Sequence, residues 1–276
     1  MSPGDASDAR LAALALLAWQ SELGADEALG EQPVDRFALA APASPVPRPR
    51  ETGQPAATAT SIAAVAPNPA AVAPAAAVAG SAKSLAELAT AIAAWDGSDL
   101  RQGARSCVFA DGLPGARVMV IGEAPGSEED RRGLPFVGRA GQLLDRMLAA
   151  IGLDRSAKNP AGAVYITNIL PWRPPGNRTP SEAEARAFLP FVERHIALAQ
   201  PEVILALGNT PTKALLDTGE GIRRMRGRWR RHSASGLPLL PSFHPAYLLR
   251  QPAEKAQAWV DLVSLRQVLD GADPGV

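Results

Sequence analysis

Four short apolar runs set the terms for this chain: ARVMVIG at 116–122, AVYITNIL at 163–170, EVILALG at 202–208 and LPLLPSF at 237–243. Each is too short for a buried helix and too continuously apolar for a strand with one wet face. Helix-patterned stretches separate them: AGQLLDRMLAAIGL (140–153), SEAEARAFLPFVERHIALA (181–199) and NTPTKALLD (209–217), with AEKAQAWVDLVSLRQVL (253–269) closing the series. The second of these opens with a Ser-x-x-Glu capping box. Buried strands alternating with helices predict a parallel sheet covered on both faces. The expected fold class is α/β, a three-layer α/β/α arrangement with a central, mostly parallel four-stranded sheet. Ligands in such folds lie beyond the carboxyl ends of the strands. The loops at 122–138, at 168–180 and from His244 onward should therefore converge.

The compact domain is expected over 84–276, starting with the N-capped helix SLAELATAIAAW. Upstream, residues 1–29 form a helical segment, with Leu11, Leu14, Leu17 and Trp19 at helical spacing over 9–23 and Gly24 as a stop. Residues 30–83 collapse to Ala, Pro, Val and Ser, which cannot offset the entropy of ordering, so a disordered linker is expected there. The apolar run LAALALLAW is too short to span a membrane and follows Asp5 and Asp8 rather than a basic region. A cytoplasmic protein is the expectation.

Lys and Arg together number 28, as do Asp and Glu, so any affinity for a polyanion must come from local patches. RRMRGRWRR at 223–231 is such a patch, with six arginines around one Trp, and reads as a strand or exposed ribbon facing a nucleic-acid backbone. There is one cysteine, Cys107, and the three histidines His195, His232 and His244 lack metal-ligand spacing. No metal site and no cofactor are expected.

The first loop, GEAPGSEEDRRGLPFVGRAGQLL (122–144), begins like a phosphate-binding turn but has no Lys-Ser or Lys-Thr to close it. It carries acids instead: Glu123, Glu128, Glu129 and Asp130. A carboxylate at a cleft can position or deprotonate a water, whereas acids after a turn also simply solvate it or cap a helix. Phe136 can be core or can stack on a planar ring. At the end of the second run, Asn168 offers an acceptor and two donors, which suit a pyrimidine edge or a backbone at a strand end. Arg173 and Arg178 follow it among prolines and can hold phosphates. In HPAYLLR (244–250), Pro245 keeps His244 out of helical geometry. That histidine can be structural or can donate to a developing negative oxygen.

These segments together resemble the uracil-DNA glycosylase superfamily, most closely its family four. GEAPGSEEDRRGLPFVGRAGQLLD is similar to that family's first motif, YITNILPWRPPGNRTP to its central Asn strand and following loop, and HPAYLLR to its second motif, in the family's order. The resemblance implies a monofunctional enzyme that hydrolyses the N-glycosidic bond of uracil, and of other deaminated bases, after the nucleotide is flipped out of the stack. Its partners would be single- or double-stranded DNA containing uracil and the abasic product, with no membrane, and the protein would act as a monomer. Gly122, Ala124, Phe136, Asn168 and His244 would then line the uracil pocket, Phe136 stacking on the base, Asn168 reading its edge and His244 stabilising the departing oxygen. Glu123 and Glu129 are the candidates for holding the attacking water. Arg139, Arg173, Asn177, Arg178 and Arg250 would meet DNA.

The chain also departs from the family. Relatives with a water-activating Asp carry it where this chain has Ala124, which keeps open an alternative: a binder of abasic or damaged DNA with little turnover. Family four binds a four-iron, four-sulfur cluster through four cysteines, whose positions fall near Trp95, Ser98, Trp172 and Phe188. None is cysteine, so the resemblance implies a variant without the cluster, with large apolar side chains packed in its place. The loop RPPGNRTPSE lacks the basic, histidine-bearing insertion of a covalently trapping branch.

Overall fold

The computed structural model describes residues 72–276. The helix expected over 9–23 and the linker expected over 30–71 lie outside them. Within the described residues the chain begins with α1 (Val72–Ser81) and α2 (Leu85–Ala94), the latter N-capped by Ser84, whose side chain accepts from the Glu87 amide. Helix α1 corrects the linker expectation for 72–83. Its Ala75 and Ala79, with Ala82 just beyond, are buried against the core. Small side chains let this helix lie close to a neighbour, and tertiary packing outweighs its composition.

The sheet has strands β1 (Asp111–Gly112), β2 (Val118–Gly122), β3 (Val164–Asn168), β4 (Val203–Leu207), β5 (Arg230–Arg231) and β6 (Pro238–Ser242), in the order β1-β3-β2-β4-β6-β5. The four central strands β3-β2-β4-β6 pair in parallel, and β1 and β5 add antiparallel edges. The α/β class is as expected, but the sheet has six strands rather than four. The two extra strands are two residues long, too short to leave any alternation in the sequence.

Successive side chains of the central strands alternate between two cores. Met119, Ile121, Tyr165, Ile204, Ala206 and Leu239 face one core, shared with α1, α2 and α6 (Glu182–Ala199). Val118, Val120, Val164, Ile166, Leu205 and Leu240 face the other, against α5 (Arg139–Ala149) and α10 (Lys255–Leu269). The remaining helices are short: α3 (Leu100–Gly103), α4 (Ser127–Arg132), α7 (Asn209–Leu216), α8 (Ile222–Met225) and α9 (Pro245–Arg250). Among the described residues no helix is long and apolar enough to cross a membrane.

Candidate active site

Parallel pairing brings four strand ends to one edge of the sheet, one more than the three expected loops. Gly122 pairs with Asn168 across β2 and β3, and Leu207 with Ser242 across β4 and β6. The loops that follow these ends carry Glu123, Thr210 and His244.

Gly122 is glycine for want of space. A Cβ there would lie 2.4 Å from Asn168 Oδ1 and 2.4 Å from Phe136 Cζ. The Asn side chain and the Phe ring therefore converge over this one backbone position. Asn168 is 6% exposed, and its Oδ1 is the one buried side-chain polar atom without a hydrogen-bond partner among the described residues. An unpaired buried carbonyl costs about 1–3 kcal/mol, which the fold tolerates best where a ligand supplies the missing donor. The alternative of an Asn whose acceptor pairs with backbone is thereby set aside.

Phe136 belongs to the second core, and its ring approaches Gly122 and stacks on His244. Its φ of 52° is left-handed, a region that costs a non-glycine residue on the order of 1 kcal/mol. Arg155 holds it there, donating to the carbonyls of Pro135 at 3.0 Å and Phe136 at 2.9 Å while pairing with Asp145 and Asp111. Helix α5 closes on the same carbonyl, and a Cβ on Gly141 would meet it at 1.8 Å.

His244 caps α9, its Nδ1 accepting from the Ala246 amide at 3.2 Å. That bond fixes the neutral tautomer with the proton on Nε2. Burial, aided by the Arg250 charge, lowers its pKa to about 4, so the imidazole is a neutral donor near pH 7.

The acids of the first loop separate by partner. Glu128 pairs with Arg131 and Arg132 on the surface. Asp130 is buried and accepts from the amides of Arg105 and Ser106. Glu129 is spent on backbone: Oε1 accepts from Val137 and Gly138 at 2.9 and 2.8 Å, and Oε2 from Gly126 at 3.1 Å. It ties the two ends of its loop together with three of its acceptor positions. Glu123 accepts one side-chain bond, from Thr210 Oγ1 at 2.9 Å. Burial raises its pKa, opposed by that bond and by the Arg250 charge. Ala124 leans into the first core and contributes no polar group.

The arginines divide in the same way. Arg139 and Arg250 are exposed, at the start of α5 and the end of α9. Arg173 donates to Asn177 Oδ1 at 2.7 Å, which stiffens the loop. Arg178 forms a two-pronged pair with Glu184 of the α6 capping box, so it is largely neutralised as a phosphate ligand. The 223–231 run, expected as a strand or an exposed ribbon, starts in α8 and ends in the edge strand β5. Trp229 is buried with its indole donating to Ser264, Arg226 pairs with the buried Asp261, and Arg223 reaches Tyr247 and Glu254. Arg223, Arg224, Arg228 and Arg231 are exposed. Sequence reasoning missed Thr210, Arg155 and Gly208, where an added Cβ would lie 3.2 Å from His244 Cβ. The apolar run ending in Gly208 carried the signal for Thr210 and Gly208, since it marks a strand end like the others.

The arrangement can clasp a planar ring against Phe136, offer an unpaired acceptor and a neutral donor to its edges, and bring a carboxylate beside it. Residues 109–263 match the family described as the uracil DNA glycosylase superfamily. The chain is 36% identical over 184 residues to the type-4 uracil-DNA glycosylase of Pyrobaculum aerophilum, covering 64% of this chain and 91% of that protein. It is 40% identical over 147 residues to that of Thermotoga maritima, covering 52% and 71%. Against that of Archaeoglobus fulgidus it is 31% identical over 201 residues, covering 69% and 96%.

Proposed function

The chain belongs to the uracil DNA glycosylase superfamily, and from that premise we propose that it excises flipped-out uracil from DNA in repair, leaving an abasic site. The carrying observation is the unpaired Asn168 Oδ1 beside Phe136 and Gly122. Uracil presents an N–H between two carbonyls. The N–H satisfies Oδ1, whereas cytosine has a bare ring nitrogen there and leaves two acceptors facing each other. As the bond between the base nitrogen and the sugar C1′ breaks, its electron pair moves onto uracil and positive charge grows on the sugar. The Nε2–H of His244 meets the negative oxygen, and the Glu123 carboxylate faces the sugar and the water that adds to C1′. Exposed Arg139 and Arg250 are suited to phosphates, with Arg173 and Asn177 shaping the loop beside them. The protein acts in the cytoplasm as a monomer on this reading.

We infer further that it is a variant of its type-4 relatives with no iron–sulfur cluster. The positions implied for the cluster do not fit one. Trp95, Trp172 and Phe188 are buried at 6%, 2% and 1% exposure and offer no sulfur. Phe188 packs edge-on to Trp95 at 5.0 Å and to Trp172 at 5.5 Å between centroids, filling the space with rings. The one cysteine, Cys107, lies off those four positions, and burial pushes its pKa up to about 11.

The test is excision of uracil from a labelled single-stranded oligonucleotide by the full chain, with chelator, alongside H244A and N168A. Multiple turnovers that fall sharply in both variants are expected. Retention of abasic DNA without turnover would replace this reading with that of a damaged-DNA binder.

A further inference from the structure

Thr210 lies on the fourth strand-end loop, in the first turn of α7, and its hydroxyl donates to Glu123 Oε2 at 2.9 Å. Among the described residues nothing donates to the other oxygen, Oε1, yet it is not among the buried unpaired atoms, so solvent reaches it. One oxygen is tied and one is open. That is the geometry a carboxylate needs to aim at a water or a cationic sugar instead of swinging between rotamers. The tether also favours the ionised acid. Burial favours the protonated acid, and the two influences opposing it are the Thr210 bond and the charge of Arg250 at the end of α9. Arg250 is exposed and screened by salt, whereas the hydroxyl is a direct contact.

We propose that Thr210 is a positioning residue for base excision, holding the Glu123 carboxylate in one orientation. This rests on the reading of the site as a uracil excision site. Thr210 touches neither base nor sugar on this account, so its removal acts on the chemical step rather than on substrate affinity. A protonated Glu123 is a poor partner for positive charge, so activity is lost as pH falls through its pKa. Deleting the donor moves that loss to higher pH.

The experiment is the single-turnover rate of uracil excision from pH 4.5 to 8.5 for wild type, Thr210→Val and Thr210→Ser, with KM and thermal stability measured in parallel. Val keeps the shape and removes the donor, while Ser keeps the donor. For T210V the expected result is a plateau rate roughly tenfold lower and an acid limb shifted upward by about one pH unit, with KM changed less than threefold. T210S should return both towards wild type. A purely structural threonine would lower the melting temperature and leave the limb in place. An unmoved acid limb in T210V, or a T210S profile no better than that of T210V in folded protein, overturns the proposal. A wild type that excises no uracil at any pH removes the reading beneath it, and the role of Thr210 with it.

Discussion

The ring of Phe136 lies over the imidazole of His244, with centroids 5.4 Å apart and planes inclined by 28°. A third ring between them needs about 7 Å, twice the usual carbon–carbon contact. A base therefore does not slide between the two. On the proposed reading it would stack on Phe136 beside the imidazole and meet the Nε2–H edge-on, as a hydrogen bond to its oxygen requires.

That neutral imidazole carries a cost in acid. His244 has its pKa lowered to about 4 and His195, buried beside Tyr165 and Phe109, to about 3, both chiefly by burial. The unfolded chain takes up protons near pH 6.5 and the folded one does not. Stability is thus full above that pH and falls as pH drops towards 4 and then 3, by about a few kcal/mol. Urea unfolding at pH 7.0 and 4.5 should show this loss. Imidazole NMR shifts of His244 should stay those of the neutral ring down to pH 5.

Gly122 and Asn168 offer a contrast between function and stability. Gly122→Ala forces a methyl between Oδ1 and the Phe136 ring, so excision should fall at least a hundredfold, with KM rising. Asn168→Ala removes an unpaired buried carbonyl. Activity should drop about a hundredfold while unfolding free energy changes by less than about 1 kcal/mol, far below an ordinary core truncation. Paired kinetics and denaturant curves check both.

The two glutamates of the first loop should part company on substitution. Glu123→Gln should lower the single-turnover rate by about 10²–10⁴-fold with an unchanged melting temperature. Glu129→Gln turns an amide N–H towards at least one of the three backbone N–H groups it now satisfies. It should cost about 1–3 kcal/mol of stability, and its effect on rate should come through the Phe136 loop.

The aromatic block predicts a protein that needs no iron. Phe188→Ala should lower unfolding free energy by about 3–5 kcal/mol, because the ring touches Trp95, Trp172 and Phe191. Chelation should change neither activity nor melting temperature, and elemental analysis of purified protein should find no stoichiometric iron.

The legible and illegible parts of this molecule divide by range. The central strands and the long helices announce themselves through local period, as in VMVIG and in the capping box of Ser181 and Glu184. Gly122, Phe136, Asn168 and His244 were nameable because they sit in contiguous motifs. Glu123 and Glu129 could not be ranked against each other, because what separates them is which amides fold back onto Glu129. Arg155 and Thr210 act on residues 19 and 87 positions away, a relation no spacing records. Helix α1 was hidden for another reason: alanines and a proline look like a tether until a partner surface makes smallness an advantage.

The block of Trp95, Trp172 and Phe188 has a consequence outside the site itself. Interlocked rings have one electronic state and are complete once the chain has folded. On the cluster-free reading proposed above, the loop that follows Asn168 would be braced by a part that needs no delivery pathway, finished at the moment the chain itself is.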